Sequence, residues 1–378
     1  MRGPRIAIVS DTVDDTNGVA IGLRRLVAAS TGAGRSMTLV GPANPNVVDQ
    51  VIRIPAAMSA SLPFSPDYTW SVPELPLLVS YLNASADIVQ IATPGPMGLA
   101  GLIAGRMLGL PIVAQYHTEV ADYAALMTGM AMIRGIVEPI VGWVYKQADL
   151  CLAPSAAAER RLAALGVASD RLRRIPRGVD LERFSPAKRD RAALLRYGAR
   201  DGLVALYVGR LSNEKNLDGL LTAWSTVHAT RPSARLVMVG EGPKAFVCDQ
   251  PGVVRAGALY GDELARVFAS CDVFAFASET ETFGNVVVEA AASGVPAVVM
   301  ARGAAHEHVV DGETGAVCRD VTSFAAALGQ LLDDADLRRR QGHAAHARAA
   351  SYDLDRATRA TSDIYDALIA NRTARAAS

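Results

Sequence analysis

Short apolar runs alternate with helical stretches along this chain, and the alternation runs through twice. Runs at 5–10, 37–40, 87–91, 111–115 and 150–153 read as strands, with helical stretches at 19–29, 98–108 and 156–165. The pattern then restarts, with strands at 203–208, 235–239, 273–277 and 297–300 and helices at 217–230, 261–269 and 284–293. Apolar strands separated by helices belong in parallel sheets with helical crossovers. A chain of 378 residues is also long for a single core. The spacing therefore predicts two doubly wound α/β domains in tandem. Segment 176–197, with Arg, Pro and Gly but no periodicity, is expected to connect them. The tail from Ser323 reads as helical, with 374–378 fraying.

Bulk properties exclude several classes of function. The 38 basic and 38 acidic residues cancel, which gives no electrostatic case for nucleic acid or for strong attraction to an acidic membrane. Cys151, Cys248, Cys271 and Cys318 are scattered and form neither a metal motif nor a disulfide framework. The start of the chain enters a strand with no signal-peptide architecture. A cytoplasmic location is expected, with any membrane contact peripheral. The most apolar long stretch, 126–145, contains Arg134, Glu138 and Pro139 and is a poor membrane span.

Ligands in doubly wound sheets sit outside the carboxyl ends of the strands, and four polar segments fall there. Glu281 lies in a strand-to-helix loop, and Glu289 lies in the first turns of the helix that Gly294 and Pro296 close. Two carboxylates beside a helix N-terminus with free N–H groups suit a sugar nucleotide. The other readings are a glycosidase pair or exposed helix charges. Arg210 and Lys215 follow a strand on one loop and can neutralise a diphosphate. The plainer reading is a solvated loop with Glu214 pairing one cation. Gly18, after Asn17, lets backbone approach a phosphate or sugar, or Asn17 is simply an N-cap. His117 follows the strand at 111–115 and is placed to face a ligand, whereas His306 and His308 read as surface histidines.

Together these segments resemble the retaining glycosyltransferases of family 4. Glu281 through Pro296 is similar to the family's E-x7-E motif, and Gly209 through Asn216 to its diphosphate loop. Arg177-Gly178-Val179-Asp180 with Phe184 and Pro186 looks like the family linker, with Arg177 in place of the common Asn. Asn17-Gly18-Val19 and Tyr116-His117-Thr118 also match. The subgroup resembled is that of GDP-mannose-dependent mannosyltransferases and sulfoquinovosyltransferase-like enzymes, on Asp14 through Val19 and on His117, Thr118, Glu119, Asp122 and Tyr123.

The resemblance implies a GT-B fold: two Rossmann-like domains facing a cleft, with a C-terminal helix (352–370) crossing back to the first. The expected domains are 1–175 plus 353–378, for the acceptor, and 176–352, for the nucleotide sugar. It implies that Glu289 accepts the ribose hydroxyls. Glu281 holds donor-sugar hydroxyls, with the backbone of Phe283, Gly284, Asn285 and Val286. Arg210 and Lys215, with Gly209, stabilise the leaving diphosphate. Gly18 and His117 approach the donor from the first domain, and Leu259 contacts the base through its backbone. No cofactor and no metal is expected.

The activity implied is transfer of a hexose, mannose favoured, from a GDP- or UDP-linked donor to a hydroxyl acceptor such as a lipid-linked glycan, by front-face substitution. The apolar segment 126–145 is a candidate for lipid contact or for a buried helix. A GT-B epimerase, a phosphorylase and a non-catalytic sugar-nucleotide binder are the competing readings. The pairing of leaving-group cations with both carboxylates argues against a mere binder.

Overall fold

The computed structural model describes residues 3–14, 18–32, 36–44, 51–62, 65–198 and 202–377. They divide into two compact units, 1–176 with 355–378, and 177–354. The N-cap expected at Asn17 lies outside the described residues.

In the first unit the elements run β1 (Arg5–Val9), α1 (Gly18–Gly32), β2 (Ser36–Pro42), β3 (Ile52–Ile54), β4 (Ala56–Leu62), β5 (Ser65–Pro73) and α2 (Leu75–Ser85). They continue through β6 (Ile88–Ile91), α3 (Pro96–Met107), β7 (Ile112–Gln115), α4 (Val120–Thr128), α5 (Met132–Gln147), β8 (Leu150–Ala153), α6 (Ala156–Ala164) and β9 (Leu172–Arg174). Seven strands form a parallel sheet in the order β3-β2-β1-β6-β7-β8-β9, and β4 and β5 make an antiparallel hairpin. The sheet is buried on both faces, which is why its strands read as unbroken apolar runs. Ala7, Val9, Val89, Ile112 and Ala114 meet α2, α3, α5 and α6. Ile6, Ile8, Ile88, Val113 and Leu152 pack with α1 on the other face.

The second unit contains β10 (Val204–Val208), α7 (Leu217–Thr230), β11 (Arg235–Val239), β12 (Val253–Gly257), α8 (Gly261–Ser270) and β13 (Val273–Phe276). After these come α9 (Asn285–Ala292), β14 (Ala297–Met300), β15 (Gly315–Cys318), α10 (Val321–Asp333) and α11 (Ala335–Ala349). Its six-stranded parallel sheet has the order β12-β11-β10-β13-β14-β15. A final helix, α12 (Leu354–Ala377), returns its residues from 355 on to the first unit. There Tyr365 is buried with Ile6, Ile8 and Leu152, and its hydroxyl donates to Gln90 Oε1.

Segment 177–197 is not a bare connection. Val179, Phe184, Leu194 and Tyr197 are buried in the second unit's core, and 186–188 and 191–197 are 3-10 helices. Its apolar residues are too widely spaced for either regular period, which hid its structure. The hairpin and α2 were also missing from the pattern. Residues 56–73 mix Ser, Thr and Pro with the apolar positions.

Candidate active site

In both sheets the strand order reverses at one place, between β1 and β6 in the first and between β10 and β13 in the second. Loops leaving two such neighbours diverge to opposite sides and open a crevice. In the second unit those two loops carry Arg210 with Lys215 and Glu281. The two stretches of sequence that looked most like chemistry thus emerge from adjacent strands.

Lys215 Nζ lies 2.5 Å from Glu281 Oε1, with the two side chains 21% and 16% exposed. Burial disfavours the ammonium, but Glu281 beside it outweighs this and holds the Lys215 pKa above its ordinary value. The exposed Arg210 guanidinium is close enough to oppose that charge. Glu281 also accepts from Ser278 Oγ at 3.0 Å. Glu214 adds its charge to that of Glu281 at Lys215, its Oε1 accepts from Ser212 Oγ, and its carbonyl accepts from Ser278 and Thr280. Those two hydroxyls stitch the β13 loop to the β10 loop.

Asn216 completes the stitching. It adopts φ 51°, a left-handed conformation that Asn tolerates better than most side chains. Its side chain caps α7 by accepting from Gly219 N and donates to the Ala277 carbonyl at the end of β13.

The loop after β11 forms a shelf beneath residues 209–211. Gly209 N donates to Val239, Leu211 N to Glu241, and Lys244 N to Leu211. A Cβ on Gly240, which has φ 135°, would lie 2.0 Å from the Gly209 carbonyl oxygen. Only glycine fits. This shelf was missed, although two glycines directly after a strand (Gly240 and Gly242) are a readable signal of close backbone approach.

Gly284 precedes α9 at φ 92° and turns the chain into the helix, with Asn285 and Val286 half-buried at its first positions. Glu289 sits one turn further in and is 6% exposed. This end of α9 concentrates N–H groups and the positive end of the helix dipole beside the Lys215–Glu281 pair. Leu259 is half-buried after β12, packed against the core.

His308 is buried, which corrects its reading as a surface residue. Its Nε2 meets the Phe283 carbonyl at 2.7 Å and its Nδ1 meets the Tyr352 hydroxyl at 2.9 Å. A carbonyl only accepts, so Nε2 carries the proton, and Nδ1 accepts from the tyrosine. Burial pushes the His308 pKa down to about 4. Arg177, the departure from the family linker pattern, stands 5.8 Å from the Phe283 ring centroid. Its burial pushes its own pKa down to about 10. His306 is half-buried. No sequence period links positions 177, 283, 308 and 352, so this cluster was invisible before folding.

Gly18 and His117 belong to the first unit. Gly18 opens α1, and His117 is 7% exposed just after β7. Glu119 is held in a half-buried network: its Oε2 accepts from Tyr116 Oη at 2.7 Å and from Arg161, which also reaches Glu138. At the β1–β6 reversal, Asp11 accepts from Thr93 Oγ1 at 2.6 Å and from Met97 N at 2.8 Å, so it caps α3 from another element. Burial pushes its carboxyl pKa up, against those hydrogen bonds. Among the described residues no three His, Cys, Asp or Glu side chains are grouped to hold a metal ion.

A family model described as Glycosyltransferase Family 4 matches residues 16–183, and one described as Glycosyl transferases group 1 matches residues 202–334. A GDP-mannose-dependent alpha-mannosyltransferase of Mycobacterium tuberculosis is 32% identical over 324 residues, 83% of this chain and 84% of that protein. A sulfoquinovosyl transferase of Arabidopsis thaliana is 33% identical over 321 residues, 81% of this chain and 62% of that protein. Among solved structures, Anabaena HepE in complex with UDP superposes with a TM-score of 0.78 at 18% identity, covering 96% of this chain and 100% of that one. The chain belongs to glycosyltransferase family 4 and is a glycosyltransferase with the GT-B type of fold.

Proposed function

We propose that this enzyme transfers mannose from GDP-mannose, with retention of configuration, to a hydroxyl of a lipid-linked or glycan acceptor. The donor and the sugar are those named for the Mycobacterium tuberculosis relative, which matches over most of both chains. The observation that carries the reading is the Lys215–Glu281 contact, with Arg210 beside it, at the N-terminus of α9.

The chemistry follows from the charges. The bond from the anomeric carbon to the diphosphate breaks, and negative charge grows on the leaving phosphate oxygen. Lys215, Arg210 and the N–H groups opening α9 stabilise that charge, without a metal. Glu281 orients the sugar through its hydroxyls, and Glu289 holds the ribose. The acceptor oxygen bonds to the anomeric carbon on the face the diphosphate leaves, and the acceptor proton passes to the departing phosphate oxygen. Leu259 meets the base.

A UDP-linked donor is the second reading, favoured by the solved structure that holds UDP on the same fold. Thermal unfolding with GDP, UDP, ADP and their sugar conjugates separates the two. A ligand at about 100 times its Kd stabilises by roughly 2.7 kcal/mol. A selective shift with GDP, and mannosyl transfer that survives EDTA, are expected. A shift with UDP alone moves the donor to the second reading, and activity lost to EDTA and restored by magnesium refutes the metal-free mechanism.

A further inference from the structure

Three residues after Glu281 the chain turns into α9 through Gly284, at φ 92° and ψ 54°, and Asn285 and Val286 follow as the first helical residues. A left-handed residue followed by right-handed ones aims successive N–H groups into one concavity, which suits an anion. Among the described residues the Gly284 N–H meets no acceptor. Those of Asn285 and Val286 open the helix, where no preceding carbonyl pairs with them. Gly284 is also buried, and a buried N–H left without a partner points to a ligand or a water.

Which way that N–H points depends on one peptide bond. A trans peptide is planar, so the Phe283 carbonyl and the Gly284 N–H point in opposite directions. Glycine has no Cβ to resist rotation of the peptide before it. Turned over, the same peptide would aim its carbonyl oxygen at the anion and repel it.

His308 holds that peptide. Its Nε2–H donates to the Phe283 carbonyl at 2.7 Å, and its Nδ1 accepts from the Tyr352 hydroxyl at 2.9 Å. The tyrosine thereby keeps the proton on Nε2, the nitrogen that faces the carbonyl. Tyr352 is fixed in turn, because its own carbonyl accepts from Val179 N at 2.8 Å. The Phe283 ring packs 4.3 Å from the imidazole and meets the Tyr352 ring edge-on at 6.2 Å. Ala304 N donates to the Glu281 carbonyl at 2.8 Å. Residues 304–308 thus brace the loop on both sides of Thr282.

We propose that His308, held by Tyr352, is a positioning residue for transfer: it keeps the Phe283–Gly284 peptide turned so that the Gly284 N–H, with those of Asn285 and Val286, meets the leaving phosphate. His308 itself touches no substrate. The inference deepens the functional reading and rests on it, since the phosphate is that of the donor.

The test compares wild type with His308→Ala, His308→Gln and Tyr352→Phe, each checked for folding by circular dichroism. GMP and GDP are titrated by calorimetry, with UMP and UDP in their place if wild type binds uridine nucleotides, and kcat is measured at saturating donor. His308→Ala should bind the monophosphate as wild type does and the diphosphate more weakly. Its kcat should fall by about tenfold or more, short of the 10²–10³ that removal of a donor itself costs. His308→Gln, whose amide can donate to Phe283 and accept from Tyr352, should regain most of both losses. Tyr352→Phe, which removes only a hydroxyl, should fall between wild type and His308→Ala. Equal weakening of monophosphate and diphosphate, or a wild-type kcat in His308→Ala, overturns the proposal and leaves His308 a purely structural residue. If His308→Ala does not fold, wild-type diphosphate affinity and kcat in Tyr352→Phe overturn it instead. Wild type that binds neither GDP nor UDP refutes the functional reading as well, whereas wild type that binds one of them beside variants that lose nothing refutes this inference alone.

Discussion

Lys215 holds its charge in a site that burial alone would empty of charge, because Glu281 stands 2.5 Å away. Replacing Lys215 by Ala should reduce kcat by on the order of 10²–10³ while donor affinity changes much less. Equal losses in the two, measured by single-turnover kinetics and nucleotide titration, would reduce the loop to a binding element. His308 allows a second prediction. Its folded pKa, about 4, lies below the ordinary 6.5. The unfolded chain therefore takes up the proton first as pH falls. The stability that neutral His308 contributes is fully present above 6.5 and is lost progressively towards pH 4. The loss between pH 7 and pH 5 is about 2 kcal/mol. Urea unfolding of His308→Gln, which can still donate to Phe283 and accept from Tyr352, should lack that increment of acid sensitivity. An identical acid loss in wild type and variant would rule it out. Lys215 and Glu281 were legible because residue type and position after a strand suffice to suggest them. Ser278, Thr280 and His308 were not, because each acts through a hydrogen bond to a residue whose proximity only the fold creates.

Elements carry the next level of the argument. Loops leaving β10, β11 and β13 meet around Lys215 and Glu281 because these three strands are neighbours at the sheet reversal. Strands and long helices were readable, since a buried parallel strand is a short apolar run and an amphipathic helix has its own period. Elements such as β12, whose residues are only partly buried, and the hairpin of β4 and β5 lacked that contrast. The outer faces of α3 and α5 were only half legible: composition marked 126–145 as apolar, but which side chains reach solvent depends on how the helices lie on the sheet. The β11 shelf is the element most sensitive to one atom. Gly240→Ala places a methyl 2.0 Å from the Gly209 carbonyl and so must displace the loop that carries Arg210 and Lys215. Loss of the GDP-induced thermal shift, with circular dichroism unchanged, is expected. A Gly240→Ala variant that binds GDP normally would show that the shelf does not position the loop.

At the scale of the whole molecule, the two units differ in how they are cut from the chain. The second is one continuous segment, 177–354, whereas the first is assembled from 1–176 and 355–378. Residues Ile364, Tyr365 and Leu368 of α12 pack with Ile6, Ile8 and Val113 of the first sheet. Tyr365→Ala should destabilise the first unit by about 3–5 kcal/mol. Tyr365→Phe, which keeps the ring and removes only the hydroxyl that donates to Gln90 Oε1, should cost less. Two unfolding transitions, of which only one moves, would locate the effect. Equal unfolding curves for Tyr365→Ala and wild type would mean that α12 is not part of that core. This divided origin has a consequence during synthesis. A ribosome delivers the first unit's sheet long before the helix that covers one of its faces, and the whole second unit emerges in between. The first unit to be started is therefore the last to be completed, and its uncovered face is exposed to chaperones and to neighbouring chains while residues 177–354 are made.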